Sequence, residues 1–216
     1  MKIRTTRAET LSDGIIAIIL TIMVLELKIP AIGELETDKQ IVESLVKLLP
    51  YFAAYIISFI TIGIYWLNHH HMFHLLKRTD EPLLFLNLFS LFWLSLIPIT
   101  TALIGSHPTL TISSVGYGAV MFMTTLSFTF IRSHALKKGL IHTSEDKNSN
   151  KEIEQIFVKA RRKSIIGTFI YLFSVPLAFW SVYFSYVCFI IPPALFFIPQ
   201  GSKNDRLADE IEEKNE

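Results

Sequence analysis

Polar and ionisable residues interrupt apolar stretches at two places in the first half of the chain. One is the group Arg7, Ser12 and Asp13, just before an apolar run over residues 14–25. The other is the segment WLNHHHMFH at residues 66–74, near the end of a long uncharged stretch. Ionisable side chains inside a membrane are costly unless they are paired, and they tend to mark function. We therefore predict a hydrogen-bond and charge network between the first two helices, with members Arg7, Ser12, Asp13, Trp66, Asn68, His69 and His70.

The histidines of this segment also allow a metal or haem interpretation. His70 and His74 stand four residues apart, on one face of a helix, as paired metal ligands often do. No second cluster of carboxylates or histidines completes such a site, except for Asp13, so hydrogen-bonding histidines are favoured and no cofactor is expected. Whether His69, His70 or His71 contacts the first helix stays open. Asn87 is interpreted as a hydrogen-bonding residue between helices.

The composition is that of an α-helical membrane protein. The chain has 216 residues, of which 51% are hydrophobic, and its mean hydropathy is +0.44. A formal net charge of +1 gives no indication of a nucleic-acid partner. The single cysteine, Cys188, excludes a disulfide framework and a cysteine-based metal site within the chain.

Charged segments divide the chain into six predicted spans. A span needs about 20 apolar residues, which fixes the approximate bounds. The predicted spans are 5–28, 48–76, 82–104, 112–132, 163–181 and 183–200. They form one membrane domain over residues 1–200, followed by an acidic tail over 201–216, and residues 28–47 are predicted to be a polar loop.

The basic residues predict the orientation. With the N-terminus inside, 17 of the 20 Lys and Arg residues fall on the cytoplasmic side. Both termini are then cytoplasmic in a multi-pass protein of the bacterial plasma membrane. The first helix runs outward and the second runs inward, so their two polar groups share one depth in the membrane.

The first helix is too short to cross lipid alone. Its apolar run has twelve residues, whereas a span in lipid needs about 17 to 25. Ile18, Ile22 and Leu25 fall on one helical stripe, and Gly14, Ala17 and Thr21 form a stripe of small residues beside it. The helix is therefore predicted to be internal to an assembly. Periodicity alone does not distinguish a pore-lining helix from ordinary packing.

The motif Arg7-x-x-x-Leu11-Ser12-Asp13 resembles the R-x-x-x-F-S-D signature of the transmembrane protein 175 family of potassium channels. The similarity continues through residues 64–70, 86–88 and 97–98, and it covers the first half of the chain. The later spans match only in number and charge pattern. Leu11 stands where the family has phenylalanine, which keeps an apolar side chain at that position.

The resemblance implies a pore lined by the first helix of each subunit. Family members lack the carbonyl filter of ordinary potassium channels and use a ring of branched aliphatic side chains instead. The position five residues after Asp13 is Ile18, further apolar rings are implied at Ile22 and Leu25, and Thr21 offers a pore-facing hydroxyl. The animal proteins carry two six-span repeats, whereas this chain carries one, so a homotetramer is implied. Its partners are copies of itself, K⁺ in transit and lipid.

Two other classes of function remain as alternatives to a potassium-selective channel. A proton-coupled secondary transporter would use Asp13 and a histidine of the second helix as its coupling pair. Inverted repeats would support it, but no internal symmetry is visible in the sequence. A membrane enzyme or haem protein would be built on the histidines, yet no spacing typical of a nucleophile and its base is present. An enzyme is therefore not expected.

Overall fold

The computed structural model describes residues 5–27, 37–141 and 147–197, and helices make up nearly all of them. The first helix, α1, is continued by a single 3₁₀ turn at Met23–Glu26. The helices are α1 (Thr5–Ile22), α2 (Asp38–His74), α3 (Glu81–Ser95), α4 (Ile97–Ser106), α5 (Thr111–Lys138), α6 (Lys147–Trp180) and α7 (Val182–Phe197).

The membrane-capable helices agree with a multi-pass protein. Within the described residues, five helical stretches are long and apolar enough to cross a bilayer, and Val182–Phe196 is a shorter apolar helix. The five are Thr5–Glu26, Asp38–His74, Glu81–Ser106, Thr111–Lys138 and Ile153–Trp180. The prediction of an all-helical, multi-pass membrane protein is therefore confirmed, and α3 and α4 together make one of its membrane-capable stretches.

Helix α2 begins ten residues earlier than the sequence predicts. The polar loop assigned to residues 28–47 is wrong from Asp38 onward, because Thr37 and Gln40 form a capping box. The Thr37 N–H donates to Gln40 Oε1 over 3.1 Å, and the Gln40 N–H donates to Thr37 Oγ1 over 3.5 Å. The 37 residues of α2 make a helix about 55 Å long, well beyond the hydrocarbon thickness of about 30 Å.

A proline divides the third membrane-capable stretch into two helices. Asp80 caps the start of α3, where its Oδ1 accepts a hydrogen bond from the Leu83 N–H over 2.9 Å. Helix α3 ends at Ser95 and α4 begins at Ile97, one residue before Pro98. Proline has no N–H to donate to the preceding turn, so the hydrogen-bond ladder is interrupted at this point.

Close backbone approaches fix two of the helix pairs. Helix α1 packs on α2 and α3, and α5 packs along α6 over the most extensive interface of the bundle. A Cβ added at Gly118 of α5 would lie 2.5 Å from Ser174 Oγ of α6. One added at Gly105 of α4 would lie 2.9 Å from the Cα of Tyr51 of α2. Glycine therefore leaves room for the Ser174 side chain in one pair and for the Tyr51 backbone in the other.

Candidate pore-lining face and its polar support

Helix α1 has one face covered by the rest of the chain and one face that is not. The covered face packs against α2 and α3 through Ala8, Ser12, Ile16 and Ile19, which are all buried. These residues recur at intervals of three and four, as one side of a helix does. The pattern follows from the helical period alone, so the sequence determines which residues share a face.

The uncovered face carries every residue predicted to line a pore. Ile18 is 57% exposed and Ile22 is 43% exposed, and Leu25, on the 3₁₀ turn that continues α1, is 73% exposed. Thr21 is also exposed, and its Oγ1 donates to the Ile18 carbonyl oxygen over 2.9 Å. The hydroxyl oxygen keeps lone pairs that can accept from water or coordinate a cation. An apolar stripe of this kind, left open by its own chain, suits contact with other copies of the chain or with lipid.

Asp13 and Trp66 join α1 to α2. The indole N–H of Trp66 donates to Asp13 Oδ1 over 2.9 Å. Trp66 is 38% exposed and Asp13 is half-buried, so the bond lies at the edge of the uncovered face. Indole is a donor only, which makes it a suitable partner for a carboxylate.

Ser12, Asn87 and His69 form a buried chain of hydrogen bonds across three helices. Asn87 Nδ2 donates to Ser12 Oγ over 2.9 Å, and His69 Nε2 lies 2.9 Å from Asn87 Oδ1. Because a carbonyl oxygen only accepts, His69 Nε2 carries the hydrogen in this bond. The Ser12 hydroxyl then donates to the Ala8 carbonyl oxygen over 2.8 Å. Each group has one assigned direction, so the chain has a fixed polarity. We call these hydrogen bonds, together with the Asp13–Trp66 bond, the α1 joint.

The remaining predicted members of the network lie elsewhere. His70 Nδ1 is 3.0 Å from Glu9 Oε1, which makes a second link between α2 and α1. Asn68 turns away from α1, and its Oδ1 accepts from the guanidinium of Arg132 in α5 over 3.3 Å. Arg7 is exposed, and within the described part of the chain no hydrogen bond or ion pair joins it to the α1 joint.

Arg132 ties α5 to α6 and α2. Its Nη1 donates to the Ala160 carbonyl oxygen over 2.8 Å and to Ser164 Oγ over 2.6 Å, and its guanidinium lies 4.4 Å from the centre of the Phe128 ring. Arg132 and Glu9 were not among the residues predicted from the sequence to form the network. Each has a feature in the sequence that could have identified it. Arg132 is the first charged residue after fifty uncharged ones, and Glu9 stands one helical turn before Asp13.

A second polar group, the hydroxyl cluster, joins α2, α4 and α5. Ser58 Oγ lies 3.0 Å from the Tyr117 hydroxyl oxygen and 2.8 Å from Thr101 Oγ1. All three residues are buried. Ser58 precedes Trp66 by eight residues on α2, or about 12 Å along the helix. The cluster therefore lies nearer the middle of α2 than the α1 joint does.

Asp80 and His134 form a third contact, at the turn before α3. His134 Nε2 lies 2.8 Å from Asp80 Oδ2 and 3.0 Å from Asp80 Oδ1. Partial burial acts to raise the pKa of Asp80, but the hydrogen bonds from His134 and from the Leu83 N–H outweigh it and hold the pKa below its ordinary value of 3.8. This contact fixes the α2–α3 turn to the end of α5.

The arrangement of the described histidines bears on the metal interpretation. Among the described residues, no group of three or more His, Cys, Asp or Glu side chains is placed to hold a metal ion. The rings of His70 and His74 stack with centroids 6.2 Å apart. In this part of the chain, the ring nitrogens of His69 and His70 that have partners contact Asn87 and Glu9.

The chain is similar to known channel proteins. A family model described as the endosomal/lysosomal potassium channel TMEM175 matches residues 7–98. A potassium channel of Chryseobacterium sp. (strain P1-3) is 36% identical over 194 residues, with 89% of this chain and 92% of the relative covered. A potassium channel of Chamaesiphon minutus is 32% identical over 198 residues, with 89% and 93% covered.

A solved structure is similar over the same extent. The crystal structure of a lysosomal potassium-selective channel TMEM175 homolog from Chamaesiphon minutus aligns with a TM-score of 0.75 at 28% identity. The alignment covers 90% of this chain and 96% of that one. The fold and the uncovered polar-braced helix define a multi-pass α-helical membrane protein. Together with the near-complete match to the bacterial relatives, they show that the chain belongs to the TMEM175 family, which is a family of ion channels and not of enzymes.

Proposed function

We propose that this chain is a potassium-selective cation channel that assembles as a homotetramer around a pore lined by α1. The observation that carries the proposal is the division of α1 into a polar-braced face and an uncovered apolar face bearing Ile18, Ile22 and Leu25. The bacterial relatives that match nearly the whole chain are named potassium channels, which supports the same function. With one predicted six-span repeat in each subunit, four copies would place four α1 helices around one axis.

Selection in such a pore would rest on dehydration. A ring of four Ile18 side chains would strip water from an ion without replacing it, so the weakly hydrated K⁺ would pass more readily than Na⁺. A slightly narrower ring would lose its water and close the pore. Ile22 and, on the following 3₁₀ turn, Leu25 would add apolar rings beyond Ile18. The Thr21 hydroxyl, between Ile18 and Ile22 in the sequence, would offer an oxygen to the ion.

The α1 joint would set the position of those rings. Asp13 and Ser12 lie within two turns of Ile18 on the same helix, and each is bonded to a residue of α2 or α3. A rotation of α1 that exchanged Ile18 for its neighbours would break these bonds. Ser12, Asp13, Trp66 and His69 are therefore proposed as positioning residues for the pore, with His70 adding the contact to Glu9.

The orientation proposed here rests on the distribution of Lys and Arg. Both termini would face the cytoplasm of a bacterial plasma membrane, and the membrane domain would extend over residues 1–200. The α1 joint and the Asp80–His134 contact would then lie at the cytoplasmic end of the bundle. No cofactor enters this proposal, and K⁺ would occupy the pore only in transit.

Ion flux into proteoliposomes tests the proposal. The wild type would be compared with Ile18→Asn and with Ile166→Asn, a matched exchange at an exposed site on α6. We expect wild type and Ile166→Asn to carry K⁺ faster than Na⁺, and Ile18→Asn to conduct both ions with that preference lost. If Ile18→Asn kept the preference, Ile18 would be a packing residue and the pore register would be wrong. A wild type that conducted no cation would contradict the channel itself.

The same vesicles distinguish a proton-coupled transporter. Such a transporter would show saturating flux driven by a pH gradient, whereas a pore conducts without one. The predicted coupling pair was Asp13 with a histidine of α2. Asp13 instead accepts from Trp66, while His69 bonds to Asn87 and His70 lies against Glu9. This arrangement favours bracing of α1 over direct proton exchange between Asp13 and a histidine.

A further inference from the structure

The first half of α6 carries basic side chains on the side turned away from the bundle. Its other side is fixed by Ile153 and Phe157, which are buried. The exposed side bears Lys151, Lys159 and Arg162 together with one acidic residue, Glu154, so it is basic on balance, and Lys163 is half-buried beside them. We call the four basic residues the basic stripe. It runs along the helix axis for about 18 Å, since each residue advances the helix by about 1.5 Å.

Helix α7 ends close to the level at which this stripe ends on α6. Ser185 Oγ donates to the Ser174 carbonyl oxygen over 2.7 Å, and a Cβ added at Gly167 would lie 3.1 Å from Phe196 Cε2. These two contacts show that α7 runs antiparallel to α6 and reaches the level of Gly167 as it ends. The described part of the chain therefore ends about one helical turn from the charged half of α6.

The terminal segment 203–216 has the complementary charge and length. It contains six acidic and three basic residues, KNDRLADEIEEKNE in full. As a helix it would be about 21 Å long, close to the length of the basic stripe. If the α6–α7 register is carried on, Asp205 falls level with Lys159 and Glu212 falls level with Lys151.

We propose that the acidic segment 203–216 docks on the basic stripe of α6 within the same subunit. The short connection through residues 198–202 would keep the segment at a high effective concentration, so weak individual ion pairs suffice. A flat membrane surface fits the stripe less well, because a stripe along the axis can offer only its Arg162 end to the lipid headgroups. The docking does not depend on the pore, so the two proposals stand or fall separately.

Distance measurement between spin labels tests the docking in the full-length protein. Cys188→Ser removes the single cysteine, and Gln155→Cys and Ala208→Cys then provide labelling sites on α6 and on the segment. Labelled chains would be diluted with unlabelled ones and placed in nanodiscs of neutral phosphatidylcholine. We expect a narrow, short distance population at about 0.1 M salt that broadens at about 1 M salt, where the screening length falls from about 10 Å to about 3 Å.

Charge reversal makes the test specific. Lys151→Glu with Lys159→Glu should abolish the short population, and adding Asp205→Lys with Glu212→Lys should restore it. Lys137→Glu with Lys138→Glu, an equal charge change at the exposed end of α5, should leave it unchanged. A broad distribution for the wild type at low salt, or a narrow one that ignores the reversal, would overturn the proposal. A segment that became ordered only in anionic lipid would also overturn the proposal, since the membrane would then be its partner.

Discussion

The α1 joint and the hydroxyl cluster both join helices through polar side chains, yet they differ in chemistry. The joint combines a carboxylate, an indole, an imidazole and an amide, which have donor and acceptor atoms at fixed positions, with one hydroxyl, Ser12, whose hydrogen is directed to the Ala8 carbonyl oxygen. The hydroxyl cluster consists of Ser58, Thr101 and Tyr117, whose hydroxyls can rotate and exchange donor for acceptor.

That difference indicates different tasks. Groups with fixed donors and acceptors accept one arrangement of the helices, so they suit the helix whose rotation decides which side chains face outward. Rotatable hydroxyls tolerate small shifts, which suits helices that only need to stay together. The comparison therefore predicts that damage to the joint changes both stability and conduction, while damage to the cluster changes stability alone.

The largest effect is expected from Asn87→Leu. This exchange removes two hydrogen bonds and leaves His69 and Ser12 buried without that partner. We expect the free energy of unfolding to fall by about 1–3 kcal/mol and K⁺ flux to fall with it, because α1 loses its fixed rotation. Unfolding in detergent and flux in proteoliposomes measure the two effects. Equal flux in wild type and variant would remove the distinction between the two clusters.

Trp66→Phe should have a smaller effect that falls mainly on conduction. The phenyl ring keeps much of the packing but has no N–H to donate to Asp13. We expect a loss of about 1 kcal/mol in stability and a reduced K⁺ over Na⁺ flux ratio. Asp13→Asn is the matched control, since its amide oxygen still accepts from the indole. A Trp66→Phe protein with an unaltered flux ratio would show that this bond does not position Ile18.

Sequence could indicate the faces of helices but not their partners. The side of a helix on which a residue lies follows from its spacing along the chain. Ile18, Ile22 and Leu25 could therefore be assigned to one side of the first helix without a structure. Antiparallel order also placed Asp13 and Trp66 at one depth, where the structure joins them. Their roles in conduction stay predictions.

The remaining contacts depended on how the helices rotate and cross. Asn87 of α3 connects Ser12 to His69, and Asn68 points to Arg132 and not to α1. Neither could be read from spacing, because each depends on tertiary packing of three or more helices. The early start of α2 was missed for a local reason, since the capping pair Thr37 and Gln40 lies within a polar stretch resembling a loop.

Thr101→Val tests the other side of the comparison. It removes one hydroxyl from the cluster while keeping the shape of the side chain. We expect a loss of about 0.6 kcal/mol, typical of an interhelical hydrogen bond in a membrane protein, with flux unchanged. Thr100→Val, where the hydroxyl bonds only to carbonyl oxygens of Leu96 and Ile97, provides the control. A change in the ion flux ratio for Thr101→Val would mean that the cluster also affects the pore.

The smallest effect is expected at Asp80, where the pair with His134 is partly open to solvent. Because the folded pKa of Asp80 is lowered, its contribution is present above the ordinary value of 3.8 and is lost as the pH falls through the lowered value. We expect the free energy of unfolding of the wild type to exceed that of Asp80→Asn by roughly 0.5 kcal/mol near neutral pH. The difference should disappear in strong acid. A difference that grew on acidification would contradict the assigned direction.

Gly105 is a position at which almost no substitution fits, in a bundle whose outward-facing positions tolerate many. A Cβ at this position would collide with the Cα of Tyr51. Even a single methyl group therefore meets a main-chain atom that no change of side-chain rotamer can move aside. Glycine to alanine is among the mildest exchanges by chemistry, and in most helices it is favourable. At this crossing of α2 and α4 it would act as a wedge. Variation among related chains should therefore be freest where side chains face outward and most restricted at a residue that has none.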